Sequence, residues 1–216
     1  MVSDEVDKRE YVLQRAIEVF SARGYRATSM KDLADQVKLG KSTLYHYFRS
    51  KQDLLVAIYS GVMAENIAAA KRIRESNQSV VESVRQMLAD RVSYTCSHQR
   101  ILQIFHEEEA ELPKRLMSQV TESRRAYQEV MTDLLEQGLS QGQFEFDPTP
   151  MIVANCLLGA CNWSYKWYHP DGRKTPDALA DEVSDFLMNA IMTKSGRSSR
   201  STSAAGSAPS RAVRGA

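Results

Sequence analysis

The chain has 216 residues, 43% hydrophobic and 25% charged, enough to bury a real core and too apolar for disorder throughout. Its formal net charge of +1 is unevenly spread: from Ala22 to Lys51, Arg23, Arg26, Lys31, Lys38, Lys41, Arg49 and Lys51 face only Asp32 and Asp35, a local +5. The stretch 195–216 adds four arginines, and everything else sums to −8. A polyanionic partner therefore suits one short segment and not the body. No apolar stretch approaches the roughly 20 residues that cross a bilayer, and the polar start MVSDEVDKRE lacks the apolar centre of a signal peptide. The sequence predicts a cytoplasmic protein without a membrane partner.

Leu13, Ala16, Ile17 and Phe20 recur at i, i+3, i+4, i+7, predicting a first amphipathic helix that Gly24 can end. Ser29, with Asp32 three residues on, caps a second, short helix carrying Met30, Leu33, Ala34 and Val37. A third runs from Lys41 to Phe48, and Ser50 with Asp53 caps a fourth. Helix formers then predict helices over about 51–74, 79–97, 99–108 and 114–141. Pro148 and Pro150 precede a helix over 151–168, His169-Pro170-Asp171-Gly172 is a turn, and Thr175-Pro176 starts a last helix reaching Met192. Beyond Lys194 the Ser/Arg/Ala/Gly-rich run has one valine as its only larger apolar residue and reads as a disordered tail. The expectation is an all-α fold of about nine helices: a three-helix head over 1–52, a helical body over 53–194 and a tail over 195–216.

A short helix, a tight turn at 37–40 and a second short helix make a helix-turn-helix. With Lys41–Phe48 helical, Leu44 and Phe48 share the inward face, while Ser42, Thr43, Tyr45, His46 and Arg49 spread outward. Small hydroxyls for close approach, aromatic and imidazole groups, and flanking cations are what a DNA-reading helix needs. The alternative is a solvated helix face, but two tyrosines and a histidine inside a +5 segment make a poor inert surface.

The run TSMKDLADQVKLGKSTLYHYFRSKQDLL, Thr28 to Leu55, resembles the signature of the TetR/AcrR transcription regulators, most specifically in Leu44-Tyr45-His46-Tyr47-Phe48, Ser50-Lys51 and Asp53-Leu54-Leu55. The resemblance covers about Arg9 to Ser60. It implies that Thr43 and Tyr45 lie against base edges or adjacent backbone, that Tyr47 and Lys51 grip phosphates, that Ser29 offers the start of the second helix to another phosphate, and that His46 does either. Lys41 and Ser42 complete the candidate DNA-binding set. The sequence departs from the family pattern at Lys38, where glycine is usual, and at Gly40 and Ser42, where serine then glycine is the common order; Gly40 can still cap the third helix.

A reader of operator DNA needs a twofold partner, because one recognition helix spans only a few base pairs. Leu179, Val183, Phe186, Leu187, Ala190 and Ile191 on the last helix, and Met151, Leu157, Leu158, Cys161 and Tyr165 on the one before, recur at helical spacing. In the family such a pair resembles a four-helix homodimer interface, the alternative being intrachain core. The family also implies a small-molecule effector in the body, for which Phe105, Tyr127, Asn155, Asn162 and Trp163 are candidate liners, apolar surfaces with hydrogen-bonding tips. The run NWSYKWYHPDGR from Asn162 resembles TetR-type regulators that respond to fatty-acyl-CoA thioesters.

Cys96, Cys156 and Cys161 form neither an even set nor a CxxC pair and read as small core residues. Glu107-Glu108-Glu109 with Glu111, beside His106 and His98, reads as a solvated face and not as a metal site, since consecutive glutamates point in different directions. No GxSxG, HExxH, phosphate loop or dinucleotide fingerprint occurs, so neither catalysis nor a cofactor is expected. The effector, the operator and the sign of regulation are left open.

Overall fold

The computed structural model describes residues 2–38 and 41–193. Among them are nine α-helices: α1 (Val2–Arg23), α2 (Met30–Val37), α3 (Lys41–Tyr47), α4 (Lys51–Arg74), α5 (Val80–Ser97), α6 (Gln99–Glu108), α7 (Lys114–Ser140), α8 (Pro150–Trp167) and α9 (Pro176–Ile191). The all-α expectation holds. The tail expected over 195–216 lies outside the described residues.

Local chemistry sets the helix ends. Gly24 adopts φ +85 and donates its N–H to Phe20 O, closing α1 in a left-handed residue that glycine tolerates without strain. Ser29 and Ser79 each accept the N–H of the residue three on, while Asp32 and Glu82 return the bond to the capping residue's own N–H. Both helices thus start in capping boxes. Ser50 caps α4 and Thr175 caps α9 through their side-chain oxygens. The one feature between α6 and α7 that the spacing did not predict is a single 3₁₀ turn, Glu109–Glu111.

The body is built around α5, which packs most extensively against α9 and also against α8 and α7, while α4 lies along α7. Arg85 on α5 ties α9 down through Asp181 and Asp185. A short antiparallel bridge, Phe144 with Met192, fastens the end of α9 to the α7–α8 connection, with Glu145 N–H donating to Ile191 O and Thr193 N–H to Gln143 O. One continuous apolar core runs from Val12 and Phe20 in the head through Leu54 and Leu55 to Met131, Leu135 and Met188. Among the described residues α4 alone has the length and apolarity of a bilayer span, correcting the expectation that no stretch comes near it; half of that apolar window is buried in the bundle core.

Cys96 and Cys161 are buried as expected, but Cys156 is exposed on α8. The two terminal helices divide their apolar residues by face. Leu157, Leu158, Cys161, Tyr165, Leu179, Leu187 and Ile191 belong to the chain's own core, so the interface role read for them is corrected. Met151, Ile152, Trp163, Trp167 and Phe186, the last 75% exposed, face outward instead.

Candidate functional site

Leu44 is fully buried and Phe48 nearly so, under the Arg9 guanidinium, and these two residues clamp α3 to the head. The clamp fixes what the helix shows to solvent. Lys41, Ser42, Tyr45, His46 and Arg49 are exposed, Tyr45 by 48%, and Thr43 is half-buried. Lys31, Lys38 and Arg23 are exposed on the same short segment, where Asp35 is the exposed acid, so its surface is predominantly basic.

Three of the expected phosphate contacts have other occupations. Tyr47 is half-buried against the core, its ring edge-on to His46. The Lys51 ammonium donates to Tyr25 O at 2.9 Å and sits 4.5 Å above the Tyr25 ring, and desolvation lowers its pKa. Ser29 and its own N–H are taken up by the Asp32 carboxylate, which these bonds hold below its ordinary pKa. Tyr47, Lys51 and Ser29 therefore shape the head as well as border its surface. Gly40, the expected cap of α3, lies outside the described residues.

Lys38 closes α2 at φ 53, ψ 18, in the left-handed region where glycine is favoured. Lys38→Gly is expected to stabilise the protein by about 0.5–1 kcal/mol, relief of side-chain strain exceeding the added freedom of the unfolded chain. Thermal unfolding checks this; a fall in Tm would mean that the lysine stem contributes more than its backbone costs.

The body holds a half-open cavity of about 310 Å³ between α4, α5, α6, α7 and α8, with Asn155 and Gly159 exposed at its mouth. Of the five candidate liners, Tyr127, Asn155 and Asn162 do converge there, with Tyr59, Met63, Arg91, His106, Glu109, Arg124 and Leu158. Two do not. Phe105 lies behind the wall, stacked on Tyr59 with ring centroids 3.8 Å apart, and Trp163 points outward, 59% exposed, because it falls on the opposite side of α8 from Leu158 and Cys161. Burial pushes the Tyr127 phenol well above its ordinary pKa, so it stays neutral.

Spacing missed the cavity's charged groups. Arg91 occupies the buried stripe of α5 between Met87 and Thr95, and a charge on an apolar stripe was the available signal. The glutamate run is not the solvated face expected of it. Glu107 is exposed, but Glu108 pairs with Arg26 of the head at 2.6 Å, and Glu109 pairs with Arg124 inside the cavity. Adjacent residues of one helix end thus touch both the cavity and the head.

His106, with Nδ1 3.8 Å away, and Arg124 hold the Glu109 carboxyl below its ordinary value of 4.5 against the opposing effect of burial. A depressed carboxylate contributes stability above its unfolded pKa that is lost as pH falls through the folded one. The wild type is therefore expected to lose stability below about pH 4.5 more steeply than Glu109→Gln. Parallel Tm–pH curves of the two proteins would contradict this.

Residues 12–58 match the family described as bacterial regulatory proteins, tetR family, and residues 77–191 match the tetracyclin repressor-like C-terminal domain. The HTH-type transcriptional repressor KstR2 of Mycobacterium tuberculosis is 26% identical over 190 residues, 88% of this chain and 94% of KstR2. A TetR/AcrR-family regulator from Thermobifida fusca superposes with a TM-score of 0.73 at 29% identity, over 85% of this chain and 97% of its own. FadR of Bacillus subtilis, solved with stearoyl-CoA, superposes with a TM-score of 0.72 at 18% identity, over 84% and 98%, which speaks for the fold alone. The chain belongs to the tetR family of bacterial regulatory proteins and is a DNA-binding transcriptional regulator.

Proposed function

We propose that the protein is a cytoplasmic, homodimeric repressor of lipid-breakdown genes, released from its operator by an acyl-thioester-type effector in the body cavity. It acts by binding and not by turnover. Its units are a head over 1–52 that reads DNA and a body over 53–194 that binds the effector and the second subunit. The observation that carries the reading is the α3 surface: a helix clamped by Leu44 and Phe48 that turns Ser42, Tyr45 and His46 outward within a segment of local charge +5. Lys41, Thr43 and Tyr47 join them at the DNA, with Ser29 and Lys51 at its edges. The outward residues of α8 and α9, Ile152, Trp163, Trp167 and Phe186, supply an apolar face of the kind that a helix-pair dimer interface buries.

The effector class is supported by two structural neighbours solved with acyl-CoA: FadR of Bacillus subtilis with stearoyl-CoA, and AibR with isovaleryl coenzyme A and operator DNA. Coupling to the head is supported by the end of α6, where Glu109 borders the cavity and Glu108 holds Arg26. An effector that favours a different seat of α6 changes the separation of the two recognition helices, and affinity with it.

The test is a protection experiment on the promoter next to the protein's own gene. A palindromic footprint whose affinity falls steeply with salt, and which acyl-CoA weakens, is the expected result. A complex indifferent to sequence overturns the regulatory reading of α3; a specific complex that no acyl-CoA weakens overturns the effector half.

A further inference from the structure

We propose that the body cavity binds an organic carboxylate, with Arg91 as its anchor. The proposal rests on the reading of that cavity as the effector site and adds the chemical class of what it recognises.

Arg91 is only 5% exposed, yet among the described residues no carboxylate lies within ion-pair reach of it. Its Nε donates to Asn162 Oδ1 at 2.6 Å, Nη1 lies 3.9 Å from the Met63 sulfur, and the guanidinium stands over the Tyr127 ring at 5.4 Å. All three partners are neutral. The cavity's one carboxylate, Glu109, is already engaged by Arg124 and His106. The neighbouring Asp90 borders a different groove, with Glu65, Tyr94 and His98. The cavity thus holds two guanidiniums against one carboxylate.

A buried cation without a counter-ion is costly, and a chain that keeps one at a cavity wall has it poised for a ligand's charge. The guanidinium fork offers two parallel N–H groups, which match a carboxylate in plane. Here Asn162 orients the fork from the Nε side, and among the described residues Nη2 has no hydrogen-bond acceptor. Around it Tyr59, Met63 and Leu158 form apolar walls, and Asn155 and Gln128 supply amides. The volume of about 310 Å³ suits a compact acid body, not a whole CoA ester. The carboxylate belongs either to a free acid or to the far end of a short acyl thioester whose CoA stays outside.

Thermal unfolding of the full chain at fixed protein concentration separates the outcomes. Four probes are used: octanoate, its uncharged counterpart octanamide, glutaryl-CoA, and pentanoyl-CoA, which lacks the terminal carboxyl. At least one acid is expected to raise Tm by roughly 5 °C or more at a hundredfold excess over its Kd, with the counterpart that lacks its carboxylate far weaker. Octanoate points to a free acid, glutaryl-CoA to a thioester-borne one. Arg91→Met should remove that shift while leaving the Tm of the free protein unchanged or higher, because an apolar isostere relieves the unpaired charge. Arg91→Lys should keep the acid preference with about tenfold weaker binding.

Equal shifts from the counterparts without the carboxylate, no shift from either acid, or a Tm loss above roughly 5 °C in ligand-free Arg91→Met, each overturn the anchor. Operator binding measured alongside keeps the two readings apart. An acid bound through Arg91 that leaves operator affinity unchanged overturns effector-driven release and not the anchor. Release only by a ligand that lacks the carboxylate does the reverse.

Discussion

Phe105→Ala is expected to destabilise the protein by about 3–5 kcal/mol, a fall in Tm of roughly 6–20 °C. Phe105 is 1% exposed and stacked face to face on Tyr59, with the rings 12° from parallel. Truncation removes that pairing and leaves a void where Tyr59, itself a cavity wall, loses its backing. The Arg124 guanidinium lies 5.6 Å from the Tyr59 ring and 5.8 Å from that of Phe105, so its seat loosens as well. Denaturant unfolding measures the loss. A change below about 1 kcal/mol would mean that α6 and α4 close over the gap, since the cost of a deleted side chain depends on how well its site collapses.

Tyr45→Ala is the second large effect, and it falls on binding. Tyr45 is 48% exposed on a helix held by other residues, so its truncation is expected to lower operator affinity about 10- to 100-fold while Tm stays within a degree or two. Titration against the operator and against a scrambled duplex of equal length checks both halves. Affinity for the scrambled duplex should change little, because that binding is set by phosphate neutralisation. A large Tm drop would show that the ring packs on the head and does not read DNA. Lys51→Ala is a poorer probe of the same surface: its ammonium holds Tyr25 O, so stability and affinity fall together.

Most of the architecture was legible because the helix boundaries rest on local chemistry. Ser29 and Ser50 cap where an aspartate follows three residues on, Thr175 caps ahead of a first-turn proline, and Gly24 stops α1 where a left-handed residue is needed. The inward and outward sides of α3 were equally legible, since Leu44 and Phe48 are four residues apart. What spacing could not give is which of two buried-looking faces meets the chain's own core. Leu157 and Met151 were both read on the apolar stripe of α8, yet one is buried and the other exposed, a difference decided by where α5 and α7 lie. The cavity's ionic groups were hidden for a related reason. Glu108 and Glu109 are one residue apart and differ only in direction, and their partners Arg26 and Arg124 are supplied by other elements.

The outward aromatic residues of α8 and α9 carry a last consequence. In the homodimer proposed above, Ile152, Trp163, Trp167 and Phe186, which a single copy leaves in water, are covered by the twin. The protein's heat resistance is then a property of how much of it there is. Serial dilution should depress Tm steadily, and scarcity in a cell should empty the operator before any effector arrives.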